Sequence, residues 1–133
     1  MVTLSLEQSR KIIEIAESYV GIRNPENYDC ALFVKDVYRQ AGISTSFDEF
    51  PAIPESALFD SAYVGYPYFL RRLLSKRKNE VTHFGIIAPE GYLIHCSQRM
   101  ANDFVYQIYK SHPDDLFKVY EFIEFSENVK APQ

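Results

Sequence analysis

The stretch His83-Phe84-Gly85-Ile86-Ile87-Ala88-Pro89-Glu90-Gly91-Tyr92-Leu93-Ile94-His95-Cys96-Ser97 decides the fold class. Two apolar runs flank Ala88-Pro89-Glu90-Gly91, a cluster of turn formers. From Val81 onward the hydrophobic period is two, the period of strands, so residues 81–87 and 92–97 are predicted to pair as a β-hairpin. His83 and His95 are separated by an even number of positions. A loop of odd length centred on Pro89 places them on one sheet face, directly opposite each other, with Cβ atoms about 5 Å apart. Gly85, Leu93 and Ser97 share that face, and Phe84, Ile86, Ile94 and Cys96 share the other. Gly85 leaves space beside His83 where another element can approach closely.

Upstream of the hairpin the period is helical. Ser5-Leu6-Glu7-Gln8 has the form of a capping box, and apolar residues recur at helical spacing as far as Gly21, which predicts a helix over 6–20. Asn24-Pro25-Glu26-Asn27 is turn chemistry. Asp29 then caps a second helix with Cys30, Phe33, Val34, Val37, Tyr38 and Ala41 on its apolar face, ending at Gly42. Cys30 therefore opens a helix. Residues 44–56, with Pro51 and Pro54, read as an irregular loop. Gly65 and Pro67 break the aromatic segment that follows, which predicts a short helix or turn and then a helix near 68–75. After the hairpin, strands are predicted over 104–109 and 117–125, separated by a turn at Pro113-Asp114-Asp115. Helices come first and an antiparallel sheet second, the order of an α+β fold.

The chain has 133 residues, the size of one ordinary domain, so residues 1–133 are assigned to a single unit. A hydrophobic content of 47% with 24% charged residues is a globular balance. The net charge of −4 weighs against nucleic acid as a partner, because phosphate binding calls for a basic surface. The apolar runs are too short for a transmembrane segment. The first residues show neither the basic nor the apolar region of a Sec-type signal peptide, so synthesis in the cytoplasm is expected. Two cysteines allow at most one internal disulfide. Oligomeric state is not legible.

Cys30, His83 and His95 are the residues with chemistry to offer. A cysteine in the first turn of a helix faces unpaired backbone N–H groups and the positive end of the helix dipole, and both favour thiolate over thiol. A neighbouring imidazole completes the activation, and a second imidazole fixes the tautomer of the first. Cys30, His83 and His95 are then nucleophile, base and orienting residue, with the Cys30 backbone N–H facing a developing oxyanion. Plainer readings stand beside this one. Cys30 alone on an apolar helix face is a buried structural thiol, and each histidine alone is an ordinary strand residue. The three are also zinc-ligand types, although the local spacings of structural zinc sites are absent, so neither metal nor organic cofactor is expected. Cys96 faces away from the histidines and reads as core, with no disulfide to Cys30. Arg71, Arg72, Lys76, Arg77 and Lys78 form a solvated helix face or a basic rim that attracts carboxylates. Phe59, Tyr63, Tyr66, Tyr68 and Phe69 are core or the wall of a groove, and Asp60 and Asp114 have no evident partner.

Two segments resemble the motifs of the NlpC-type cysteine peptidases, papain-like hydrolases of bacterial peptidoglycan. The first is Tyr28-Asp29-Cys30-Ala31-Leu32-Phe33-Val34; the second is His83-Phe84-Gly85-Ile86-Ile87, Gly91 and then Leu93-Ile94-His95-Cys96-Ser97. The twelve-residue step between the histidines and the order Cys, His, His match the unpermuted members, over about residues 22–105. The resemblance implies a papain-like fold, with Cys30 as nucleophile, His83 as general base, His95 as orienting residue and Tyr28 beside the substrate and oxyanion. It implies cleavage of an amide bond in a peptidoglycan stem peptide, near a D-glutamyl–diaminopimelyl linkage. The cell wall or periplasm would then be the site of action, reached by phage or a secretion machine. A non-wall amide or thioester substrate, a catalytically inactive binding or assembly module, and a zinc-binding domain are the alternatives. The chain departs from the family where Ala31-Leu32 replaces Ser-Gly, where residues 76–80 replace a Gly-Asp-Leu strand, and in 44–59, which lacks the Pro-Arg segment with its Gln.

Overall fold

The computed structural model describes residues 2–23, 29–44, 46–51, 53–73, 81–98, 100 and 105–122. Helix α1 spans Leu6–Tyr19 and starts at the predicted capping box. The Ser5 hydroxyl accepts from the Gln8 N–H at 3.1 Å, and the Gln8 side chain accepts from the Ser5 N–H at 2.9 Å. Helix α2 spans Cys30–Gln40, and the Asp29 carboxylate accepts from the Leu32 N–H at 2.8 Å. Its buried face is Phe33, Val34, Val37 and Tyr38, as the helical spacing predicts.

Five strands form one sheet: β1 (Pro67–Arg72), β2 (His83–Ile87), β3 (Leu93–Ser97), β4 (Gln107–Ser111) and β5 (Tyr120–Phe122). Their spatial order is β4-β3-β2-β1-β5, and every pairing is antiparallel. The α+β class is as read from sequence. One face of the sheet carries Phe69, Phe84, Ile86, Ile94, Cys96 and Ile108, all buried. Phe84 meets Phe47 edge-on at 4.7 Å, and Phe47 leans on Tyr38 of α2. Two tyrosine hydroxyls pin distant segments to this core. Tyr38 donates to the Gly65 carbonyl at 2.8 Å, and Tyr66 accepts from the Leu4 N–H at 2.8 Å. The other face carries Leu70, His83, Leu93, His95, Ser97 and Tyr120, also buried.

Three expectations need correction. Residues 67–72 form strand β1 and no helix. The first four positions of β1 are buried on both faces, so the run reads as continuously apolar and hides its period of two. Arg71 and Arg72 therefore lie on a strand, and Arg71 bonds the β5 residue Glu121 at 2.6 Å. Lys76, Arg77 and Lys78 lie outside the described residues. Residues 113–116 wind into a short helix, α3 (Pro113–Leu116), whose Asp114 N–H donates to the His112 ring at 3.1 Å. This delays the following strand to Tyr120, while β4 starts at Gln107 and runs on to Ser111.

The third correction concerns register. Ile86 pairs with Ile94 and Ile87 with Leu93, and the Ala88 N–H donates to the Tyr92 carbonyl at 2.8 Å. The turn is thus centred on Glu90, where Glu90 and Gly91 both take left-handed conformations (φ 65° and 80°). Continued along the strands, this register sets Gly85 opposite His95 and Ser97 opposite His83. The histidines share a face as expected, but they meet on a diagonal. The space left by Gly85 is filled by β3 itself. A Cβ at Gly85 would lie 2.6 Å from the Ile94 carbonyl oxygen and 2.9 Å from the His95 Cβ. Gly85→Ala is expected to destabilise the protein by about 1–3 kcal/mol through overpacking, read as a lower urea midpoint; an unchanged midpoint would contradict this packing.

Candidate active site

Cys30 is delivered by the Asp29 cap to the first turn of α2, where it is half-buried. His83 opens β2 and is 4% exposed. Both line a cleft of about 410 Å³ together with Arg72, Cys96, Tyr106 and Tyr120. His95 is fully buried behind it. His83 Nε2 and His95 Nδ1 are 2.8 Å apart, and His95 Nε2 lies 2.9 Å from Ser111 Oγ. The predicted base and orienting residue are thus hydrogen-bonded directly. Among the described residues no hydrogen bond joins the Cys30 thiol to His83; the sulfur sits by the backbone N–H groups of Phe84 and Ala31 and its own N–H. Tyr28 lies outside the described residues.

Side chains that sequence reading missed complete the site. The Tyr120 ring stacks on the His83 imidazole with centroids 4.3 Å apart and planes 10° from parallel. The Tyr120 hydroxyl is 2.8 Å from Ser97 Oγ. Leu93 pairs with Ser111 and His95 with Tyr109, which places Ser111 one diagonal step from His95 on the same face. The signal for Ser111 was its parity with His95 across a strand pair, and it needed the register of β4 to be read. Cys96 points to the sheet face away from the histidines, as expected, yet it also reaches the cleft. Both cysteines are free thiols. Among the described residues no group of three or more His, Cys, Asp or Glu side chains is placed to hold a metal ion. The predicted loners have local roles: the Asp60 carboxylate accepts from the Ala62 N–H at 2.9 Å, and Asp114 lies 3.5 Å from His112.

Electrostatics set the resting state. Burial pushes the Cys30 thiol up to about 11, and the neighbouring Asp29 carboxylate adds to the rise; the N–H groups of Phe84, Ala31 and Cys30 oppose it without cancelling it. The expectation that the helix start favours thiolate fails here because desolvation outweighs those dipoles. Burial holds the His83 imidazole well below its ordinary range, and His95 pushes it further down; burial alone does the same to His95. At neutral pH the site holds a thiol and two neutral imidazoles. Cys96, pushed up to about 12 by burial and then by the nearby Cys30, is a thiol as well. No family model, no curated protein and no solved structure matches this chain.

Alkylation by iodoacetamide tests the thiol. The rate at Cys30 is expected to rise about tenfold per pH unit from pH 7 to 9, without a plateau, and to exceed that at the fully buried Cys96. A plateau at mildly acidic pH would instead reveal a preformed thiolate. The histidines predict acid sensitivity. In the unfolded chain they titrate near 6.5, and in the fold they titrate lower. Below pH 6.5 the unfolded state binds protons that the folded state does not, so stability present above that pH is lost as pH falls. The expected slope between pH 6.5 and 5 is up to about 1.4 kcal/mol per pH unit for each histidine, measured by urea melts. A flat profile over that window would contradict buried neutral imidazoles.

Proposed function

We propose that this protein is a papain-like thiol hydrolase of the NlpC type that cleaves an amide bond, with a peptidoglycan stem peptide as substrate. One observation carries the reading: a helix-opening cysteine and an imidazole share one cleft, and the imidazole's far nitrogen is held by a second buried histidine. The motif resemblance across residues 22–105 supplies the substrate class.

The chemistry is general-base attack. His83 Nε2 is occupied by His95, so Nδ1 is the nitrogen left to accept a proton. The thiol turns from the Phe84 amide toward His83 when substrate enters, since catalytic hydrogen bonds commonly tighten only in the complex. The Cys30 Sγ–H proton passes to His83 Nδ1 as sulfur bonds to the substrate carbonyl carbon. The oxyanion takes hydrogen bonds from the Cys30 backbone N–H and, on the family pattern, from Tyr28. His83, now imidazolium, protonates the leaving amine as the C–N bond breaks. A water molecule then loses a proton to His83, attacks the thioester and releases the acid, and the sulfur recovers its proton. The stacked Tyr120 ring holds the imidazole plane through these steps.

A second reading has its own support. The Cys30 thiol is pushed up to about 11 and has no hydrogen bond to His83, which also suits a catalytically inactive binding or assembly module. Mass spectrometry of muropeptides with an intact D-glutamyl–diaminopimelyl linkage separates the two. Cleavage is expected with the wild type, with none for Cys30→Ala and a loss of at least about 100-fold for His83→Ala. Binding without cleavage would favour the inactive module, and cleavage undiminished in Cys30→Ala would remove Cys30 from the mechanism.

A further inference from the structure

We propose that Ser111 is a positioning residue that sets which nitrogen of His83 carries a proton. The proposal rests on the hydrolase reading for its catalytic consequence only; its structural content stands on the buried chain from His83 through His95 to Ser111 Oγ, with its two contacts of 2.8 and 2.9 Å. All three side chains are buried, at 4%, 0% and 8% exposure, so water does not readily substitute for a missing partner.

Two neutral imidazoles in line allow only two proton arrangements. In the first, His83 carries Nε2–H and donates to His95 Nδ1, while His95 carries Nε2–H and donates to Ser111 Oγ. His83 Nδ1 is then a bare lone pair able to accept the thiol proton. In the second, every bond is reversed. Ser111 donates to His95 Nε2, His95 donates from Nδ1 to His83 Nε2, and His83 is left with Nδ1–H, which is no base. The geometry couples the tautomers tightly, because the shared contact accommodates one proton between two nitrogens.

Ser111 therefore acts two residues away from the nitrogen that does the work. As acceptor it satisfies the buried His95 Nε2–H and holds the chain in the first arrangement. With alanine in its place that N–H has no partner, and a buried donor without an acceptor is expensive. The reversed arrangement, which leaves only a bare ring nitrogen unpaired, becomes the better one. The hydroxyl's place is set by β4, whose pairing with β3 puts Ser111 across from Leu93.

Long-range ¹H–¹⁵N correlation spectra of ¹⁵N-histidine-labelled protein near pH 7.5 read the tautomers directly and need no substrate. The expected result is Nε2–H on both His83 and His95 in the wild type, a shift toward Nδ1–H on both in Ser111→Ala, and the wild-type pattern in Ser111→Thr, which keeps the hydroxyl. Nδ1–H on either histidine in the wild type overturns the proposal, and so does a pattern unmoved by Ser111→Ala. In turnover, Ser111→Ala is expected to lower kcat by about fivefold to tenfold with little change in KM, and Ser111→Thr to restore it. Absence of any turnover in the wild type would sink the hydrolase reading and leave the tautomer result standing, whereas normal turnover with unmoved tautomers would sink this proposal alone. If Ser111→Ala does not fold, Ser111→Cys, close in size but a much weaker acceptor, is expected to show the same shift toward Nδ1–H, and an unmoved pattern in it overturns the proposal.

Discussion

The missing side chain at Gly85 is the constraint on which the site depends. A Cβ there would collide with the Ile94 carbonyl and with His95, so any other residue would push β3 away from β2. Because nothing stands in that position, His95 packs against the β2 backbone and its Nδ1 comes within 2.8 Å of His83. The contact is diagonal, between residues offset by two positions. Long imidazole side chains bridge that offset, which shorter polar groups would not.

Burial then determines what the site is at rest. The same dry surroundings that bring the histidines into a direct hydrogen bond also make charge costly there. The thiol and both imidazoles remain neutral, even though the helix start offers the sulfur two N–H groups and β2 a third. On the proposed hydrolase reading, the proton moves during attack and no ion pair is stored beforehand. Alignment of the imidazole matters more in such a design than the acidity of the thiol. The Tyr120 ring against His83 and the Ser97 hydroxyl on Tyr120 fit that requirement.

Much of this was legible in the residues. Ser5 with Gln8, Asp29 before Cys30, and the change of period at Val81 marked both long helices and the hairpin within a residue or two. Local chemistry governs those features, and local chemistry is what a single sequence exposes. The strand at 67–72 was hidden because both its faces are covered, which erases alternation. The register was misjudged by one turn residue, since Glu90 accepts a left-handed conformation that composition alone assigns to glycine. The acidity of Cys30 was misjudged because dipoles are visible in sequence and desolvation is not. Ser111 and Tyr120 could not be assigned to the site until strand pairing carried them there from the far end of the chain.

The chain leaving α1 has a role beyond linking two helices. The Gly21 N–H donates to the Ile108 carbonyl at 2.8 Å, the Ile108 N–H donates to the Ile22 carbonyl at 3.0 Å, and Arg23 bridges Gln107. Lys110 reaches Glu17 at 2.7 Å on the same side. β4 is an edge strand of the sheet, yet the start of its outer rim is already occupied by the protein's own backbone. An exposed rim is a template for intermolecular strand addition and fibrillar growth. Here that hazard is blunted at Gln107 and Ile108, where the protein's own backbone helps hold β4 in the register that carries Ser111 to His95.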